Sequence, residues 1–256
     1  SNILITVEKN SMTVAATDLE VELVTQTDVN VEHDGQITVS GRKLLDICKA
    51  LPDQCPISLS LEGEKLNIRG GKSKFNLSTL PASEFPIIED IKTKQTLSVD
   101  QSVLKNLIEK THFSMAQQDV RYYLNGMLLE TSSNSLRAVA TDGHRLAMSQ
   151  AKTSDESNEK QQVIIPRKGV LELQRLMLES GTVDLEIGVN HIRVQLENIR
   201  FTSKLIDGKF PEYNRVIPNE STNKLKANKK EFKGALQRTA ILSNEKYRGI
   251  RLIIKD

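Results

Sequence analysis

The chain has 256 residues, a length that predicts about two domains at roughly 100–200 residues each. Lys+Arg 35 against Asp+Glu 33 leaves a net charge of only +2, which excludes a globally basic nucleic-acid binder; any DNA-facing charge must come from placement. With no Trp and 4% aromatics, no run of ~18 apolar residues and only Cys48 and Cys55, a stacking platform, a membrane span, a disulfide framework and a zinc site are all disfavoured, and reduced thiols in the cytoplasm are expected.

In chain order, residues 2–8 and 11–16 alternate as a hairpin, continued by a half-buried strand over 20–24 and another over 36–39. Ser40 is a predicted N-cap for a helix over 41–50, with Leu44, Leu45, Ile47, Cys48 and Leu51 as its apolar stripe and Pro52 closing it. Strands follow at 57–61, 65–69 and 74–80, and the polar stretch 88–95 reads as a linker. A helix is predicted from 98–101 to about Met115, through Val103, Leu104, Leu107 and Ile108. After the polar-aromatic turn 119–123 come strands at 127–129 and 136–140, the polar patch 141–146, and a Ser/Glu/Lys-rich loop over 151–161. Pro166 starts a helix over 167–178, followed by strands at 183–187, 192–196 and 199–205 and a second linker at 219–223. Asn228 caps a helix from Lys229 to about Leu242.

The hairpin at 126–142 repeats the one at 2–18 with an offset of 124 positions, and its start recurs at 249–256. Phe75 to Pro86 likewise matches Phe201 to Pro211, and helix 41–50 matches helix 167–178. A period near 125 residues is too long for a solenoid unit and predicts a duplicated domain. The chain opens at a strand without Met and ends in another, so a fragment cut at both ends is expected.

Basic residues concentrate on the predicted helices: Arg42, Lys43 and Lys49; Lys105 and Lys110; Arg167, Lys168 and Arg175; and Lys224 to Arg238 near the end. Acidic residues such as Glu20, Glu22, Glu62, Glu64, Asp184 and Glu186 lie on strands and loops. This pattern has two readings: a positive side of the fold directed at phosphates, or helix surfaces that accept Lys readily. No base-reading module is present, so any DNA contact is expected at phosphates, without sequence preference.

Catalytic signatures are weak. Gly70-Gly71-Lys72-Ser73 lacks the leading Gly of a phosphate loop and precedes a strand, so it reads as a turn. His33, His112, His144 and His191 are scattered, and no metal or cofactor is expected. Asp142, His144 and Arg145 define the alternative, an enzyme of nucleotide or phosphate chemistry, against which Asp142 reads more simply as a turn-former. The first copy has Thr17-Asp18-Leu19-Glu20 where the second has Thr141-Asp142-Gly143-His144. What the second copy adds, Gly143 to Leu146, is therefore the better candidate for binding.

The motifs DVRYYLNGML (119–128), ATDGHRLA (140–147), PRKGV (166–170), FNLSTL (75–80), FTSKL (201–205) and ILSNEKYRG (241–249) resemble those of the bacterial DNA polymerase III beta subunit family, the sliding clamps, from end to end. The resemblance implies an α+β fold of duplicated DNA-clamp domains, each with two helices packed on antiparallel sheets, here over 1–92, 93–220 and the start of a third over 221–256. It implies a non-catalytic homodimeric ring around double-stranded DNA, with Arg42, Lys49, Gln118, Tyr122, Tyr123, Arg167, Lys168 and Arg175 facing the duplex. The replicative polymerase, the clamp loader and repair proteins would insert a short apolar peptide at Leu124, Thr141, Gly143, His144, Arg145, Leu146, Pro211, Arg215 and Val216. Phe75 and Leu77 would meet Ile241 and Leu242 at the subunit junction. Lacking about the first thirty residues and most of the third domain of that family, the chain as written is not expected to close a stable ring.

Overall fold

A computed structural model describes residues 2–88, 91–153, 160–218, 223–243 and 249–254. The first copy of the repeat consists of β1 (Asn2–Glu8), β2 (Ser11–Thr17), β3 (Val21–Asp28), β4 (Gly35–Ser40), α1 (Gly41–Ala50), β5 (Ile57–Glu62), β6 (Lys65–Gly70) and β7 (Ser73–Leu80). The second begins with β8 (Thr93–Asp100) and α2 (Gln101–Glu109). It then repeats the first element for element, as β9 (Gly126–Ser132), β10 (Ser135–Thr141), β11 (Leu146–Lys152), β12 (Gln161–Pro166), α3 (Arg167–Leu176), β13 (Thr182–Gly188), β14 (His191–Gln195) and β15 (Ile199–Lys204). The chain divides into two compact units, 1–210 and 211–256, and the second holds α4 (Lys229–Ala240).

Every strand pairing is antiparallel, in an eleven-stranded sheet ordered β5-β6-β7-β4-β1-β2-β3-β15-β14-β13-β8 and a four-stranded sheet ordered β11-β10-β9-β12. The two copies meet where β3 pairs with β15, Leu23 opposite Phe201 and Val21 opposite Ser203. Val21 and Leu23 thereby join the second copy's core, so the sheet and the apolar interior both run through the join. In that core α2 (Leu104, Leu107, Ile108) and α3 (Val170, Leu173) pack together, in one apolar cluster with Val183, Leu185 and Ile187 of β13. The first copy has a smaller core of Ile5, Val39, Leu66, Ile68 and Leu77, with Leu44 and Ile47 of α1 packed against it.

The predicted caps hold: Ser40 Oγ accepts from Lys43 N–H, and Asn228 Oδ1 accepts from Lys230 and Glu231 N–H at 2.9 and 3.2 Å. Other expectations need correction. The helix expected from 98 to 115 is shorter, because Ser98 belongs to β8, where Leu97 and Val99 face Leu185 and Val183 of β13 in register. That strand also replaces the end of the expected 88–95 linker, of which Glu89 and Asp90 lie outside the described residues. The 151–161 loop is bounded by strands at both ends, and 154–159 within it lie outside the described residues, as do 219–222 of the second linker. α3 ends at Leu176, since Met177 is already extended at ψ 131°. On α1 the stripe is only half used, with Leu45 and Cys48 exposed. Of residues 249–256, expected to start a third hairpin, 249–254 form no strand and pair with no strand among the described residues, and 255–256 lie outside those.

Candidate functional site

The polar patch between β10 and β11 is a turn built by its own side chains. Thr141 Oγ1 donates to Arg145 O at 2.7 Å and accepts from Gly143 N–H at 3.1 Å. Asp142 Oδ1 accepts from His144 and Arg145 N–H at 2.9 and 3.0 Å. The first copy repeats this bond for bond: Thr17 Oγ1 donates to Val21 O and accepts from Leu19 N–H, and Asp18 Oδ1 accepts from Glu20 and Val21 N–H. The Thr-Asp pair is therefore scaffold, as expected.

This geometry removes the basis of the enzymatic alternative. Asp142 meets His144 through the backbone N–H, and its Oδ2 is taken by Arg145 Nε at 3.1 Å. Burial works to raise the Asp142 pKa, but the two backbone donors and the Arg145 guanidinium outweigh it and hold the carboxyl below its ordinary value. An ionised carboxylate with its lone pairs committed is a poor general base. Among the described residues no three or more His, Cys, Asp or Glu side chains gather as metal ligands.

The turn is tied down from outside. Arg145 Nη2 donates to Phe113 O at 2.6 Å, with its guanidinium 5.9 Å from the Phe113 ring centroid. Arg121 Nη2 donates to Asp142 O at 3.1 Å, and Arg121 grips Asp119 with Nε and Nη2 at 3.0 and 2.8 Å. The Arg121 side chain and backbone N–H together hold the Asp119 pKa at about 2. The sign follows from a folded-state pKa below the unfolded value of ~3.9: this pair's support is complete above that value and is lost as pH falls through about 2. Carboxyl carbon shifts of Asp119 should titrate near 2; a midpoint at the unperturbed value would refute the grip.

A cleft of about 400 Å³ opens beside the turn, lined by Phe113, Gln117, Asp119, His144, Arg145 and Arg167 among others. Of the expected peptide-site residues it includes His144 and Arg145. Leu124 is 2% exposed and belongs to the interior, while Thr141 and Leu146 are half-buried and Gly143 is exposed at the rim of the turn. Pro211, Arg215 and Val216 belong to the second unit, where each is exposed around the short 3-10 turn Tyr213–Arg215.

The expected DNA-facing residues fall into three groups. Gln118, Tyr122 and Tyr123 share one loop, with the two tyrosine rings edge-on at 5.7 Å. Arg167, Lys168 and Arg175 lie on α3, and Arg42 and Lys49 on α1. Several of these charges have acidic partners: Arg42 with Asp46, Arg175 with Glu172, and Lys168 with Asp18 across the join. Lys105 of α2 pairs with Glu179, which leaves α2 less basic than its sequence suggested. For the expected junction, Phe75 and Leu77 lie on β7, and Ile241 and Leu242 are exposed after α4. Arg121, Asp119, Asn125 and Phe113 were missed by the sequence reading; the one signal available was Arg121 two positions after Asp119 in a loop already marked as a turn.

A duplicated α+β domain of this topology, its copies joined edge to edge, defines the DNA-clamp class. Profiles of the DNA polymerase III beta subunit match consecutively: the N-terminal domain over 1–89, the central domain over 98–212 and the C-terminal domain over 214–256. The chain is 49% identical over 257 residues to the beta sliding clamp of Vibrio cholerae and 50% over 258 residues to that of Pseudomonas aeruginosa, spanning 100% of itself and 70% of each. A crystal structure of the Pseudomonas aeruginosa subunit superposes with a TM-score of 0.92 at 49% identity, over 96% of this chain and 68% of that one. A sliding clamp from Bartonella birtlesii bound to griselimycin gives 0.91 at 39% identity, over 97% and 68%. The chain belongs to the DNA polymerase III beta subunit family, a family of non-catalytic clamp subunits. These relatives lend nothing to a nucleotide-processing enzyme.

Proposed function

We propose that the chain serves in the cytoplasm as part of a homodimeric ring that encircles double-stranded DNA without sequence preference and tethers the replicative polymerase, with the clamp loader and repair proteins using the same peptide site. Three clamp domains, 1–92, 93–220 and 221–256, fit this reading, and the consecutive profile matches support them.

The observation that carries the proposal is the join between copies. β15 of the second copy pairs with β3 of the first, so the contact uses two different edges of one repeated domain. The counterpart of β15 in the first copy is β7, which pairs with β4 only at Leu80 and Thr79 and leaves the same edge open over 73–78. The counterpart of β3 in the second copy is β11, an end strand of its sheet. A head-to-tail contact with both complementary edges free among the described residues can repeat, and it closes into a ring where the rotation per domain allows. Phe75, half-buried on the open β7 edge over the core residue Leu77, would then receive apolar residues of a second copy, with Ile241 and Leu242 exposed and suited to that role.

The charge pattern supports sliding over gripping. Arg42, Lys168 and Arg175 already share their charge with carboxylates, so a phosphate contact by any of these three replaces an existing partner and exchanges readily. Retention would then be topological. A ring of subunits of full family length that contain this sequence, loaded on closed circular DNA, should co-elute with it and be released on linearisation; equal retention on linear DNA would overturn the proposal.

A further inference from the structure

The connection between the two copies has most of the large sheet to cross. It leaves β7 at Leu80 and enters β8 at Thr93, strands that stand eight spacings apart in sheet order. Measured along the sheet at ~4.8 Å per spacing that is about 38 Å, while thirteen residue steps reach at most about 45 Å. The 3-10 turn Ala82–Glu84 shortens this reach further. With so little slack, the point at which the connection is fastened decides how it lies.

It is fastened at β3. Val21 and Leu23 pack into the core, so Glu22 between them points to the opposite face of the sheet. There Glu22 is 2% exposed, and its Oε2 accepts from the Ile88 N–H at 3.1 Å. Its Oε1 is buried without a hydrogen-bond partner. Arg193, in register with Glu22 across Thr202, directs its guanidinium to Thr202 Oγ1 at 3.4 Å and to Glu186 at 3.8 Å. Further on, Ile91 and Lys92 press against Gly188 of β13 and leave no room for a Cβ there. A carboxylate buried with one donor costs stability. The repeat does not call for one, because the second copy has Leu146 opposite Thr141 where the first has Glu22 opposite Thr17.

We infer that Glu22 is a positioning residue for the ring proposed above: by holding the Ile88 N–H it clasps the connection onto the outer face of the join and fixes the angle between the copies. The ladder at the join is the single strand pair β3 with β15, and the apolar core covers only one face of it. A clasp on the other face resists bending away from that core. An apolar side chain would fill the same space but give the Ile88 N–H no direction, since apolar contact is non-directional and a hydrogen bond to a carboxylate is not. The inference deepens the ring reading, which needs the copies at a fixed angle, yet it is a property of the free chain.

The test is a distance measurement by double electron–electron resonance on the full chain without DNA. Spin labels sit at the exposed Cys48 of α1 and at Leu178→Cys beyond α3, in a Cys55→Ser background. Hydrogen exchange at the Ile88 amide is followed alongside. With Glu22 in place the distance distribution should be single and narrow. Glu22→Leu, which sets the second copy's residue there and keeps the space filled, should at least double that width. It should also quicken Ile88 exchange about tenfold, with Tm unchanged or raised, because a buried charge is gone. Glu22→Gln keeps an oxygen that accepts from the Ile88 N–H, and should stay within about twofold of the parent in both readouts. The parent's width in Glu22→Leu, unchanged Ile88 exchange, or a Glu22→Gln chain as broad as Glu22→Leu would each overturn the inference. If the clasp behaves as expected while DNA is retained equally on circles and linear molecules, the ring reading falls and the role of Glu22 at the join stands.

Discussion

Replacing Phe201 by alanine is expected to cost about 3–5 kcal/mol of unfolding free energy, the range for emptying a fully buried aromatic site. Phe201 is 0% exposed on β15, with Val194 of β14 beside it on one flank and Leu23 of β3 on the other. Few residues could relax into the void, because the strands on both flanks are held by ladder hydrogen bonds and α3 packs on β15. For a unit of this size the loss corresponds to a Tm lower by roughly 6–20 °C. The position also tests whether the copies are one cooperative body, since Val21 and Leu23 of the first copy complete the second copy's core. Hydrogen exchange should therefore quicken in β3 as well as in β14. A chemical denaturation curve shifted by less than about 1 kcal/mol, or loss of protection confined to β14 and β15, would contradict the shared core.

What could be read from the sequence, and what could not, divides by the distance over which each feature is determined. The Thr-Asp turns were legible because their donors and acceptors lie within five residues of one another, as with Thr141 and Arg145. The repeat was legible because the same local chemistry recurs 124 positions apart. β8 was not, since Thr93, Lys94 and Gln95 look like linker until β13 supplies Leu185 and Val183 for Leu97 and Val99 to face. On α1 the amphipathic pattern predicted an apolar stripe correctly but could not say that Leu45 and Cys48 stay uncovered. Charge behaved likewise: Lys168 was counted as free for phosphate, and its carboxylate partner Asp18 comes 150 positions earlier across the join. At the candidate site the sequence marked Gly143 as new in the second copy, but not that the Arg121 guanidinium, which a Cβ there would crowd, arrives from another loop. The family resemblance reached further than periodicity did, and the profile matches along the chain agree with it.

Leu146→Asp is expected to abolish most partner-peptide affinity while leaving the fold intact. Leu146 opens β11 opposite Thr141 and is half-buried, so its apolar surface is offered to solvent next to a turn held rigid by Arg121 and Arg145. A proposed peptide with two apolar anchors should bind at about micromolar affinity, near −8 kcal/mol, because anchor burial of roughly 1.5–3 kcal/mol each is offset by the cost of ordering the peptide. Placing a carboxylate on that floor removes one anchor's share and adds the desolvation of a charge, which predicts a loss of at least 10–100-fold. Arg145→Glu is a less informative variant, for it also sets a carboxylate beside Asp142 and breaks the bond to Phe113 O, so a loss there could arise from the turn alone. The proper control is Val189→Asp, the same change of chemistry at an exposed apolar residue between β13 and β14. Titration calorimetry should show the control binding as wild type. Affinity within threefold of wild type for Leu146→Asp would mean that partners, if they bind this chain at all, do so away from 143–146.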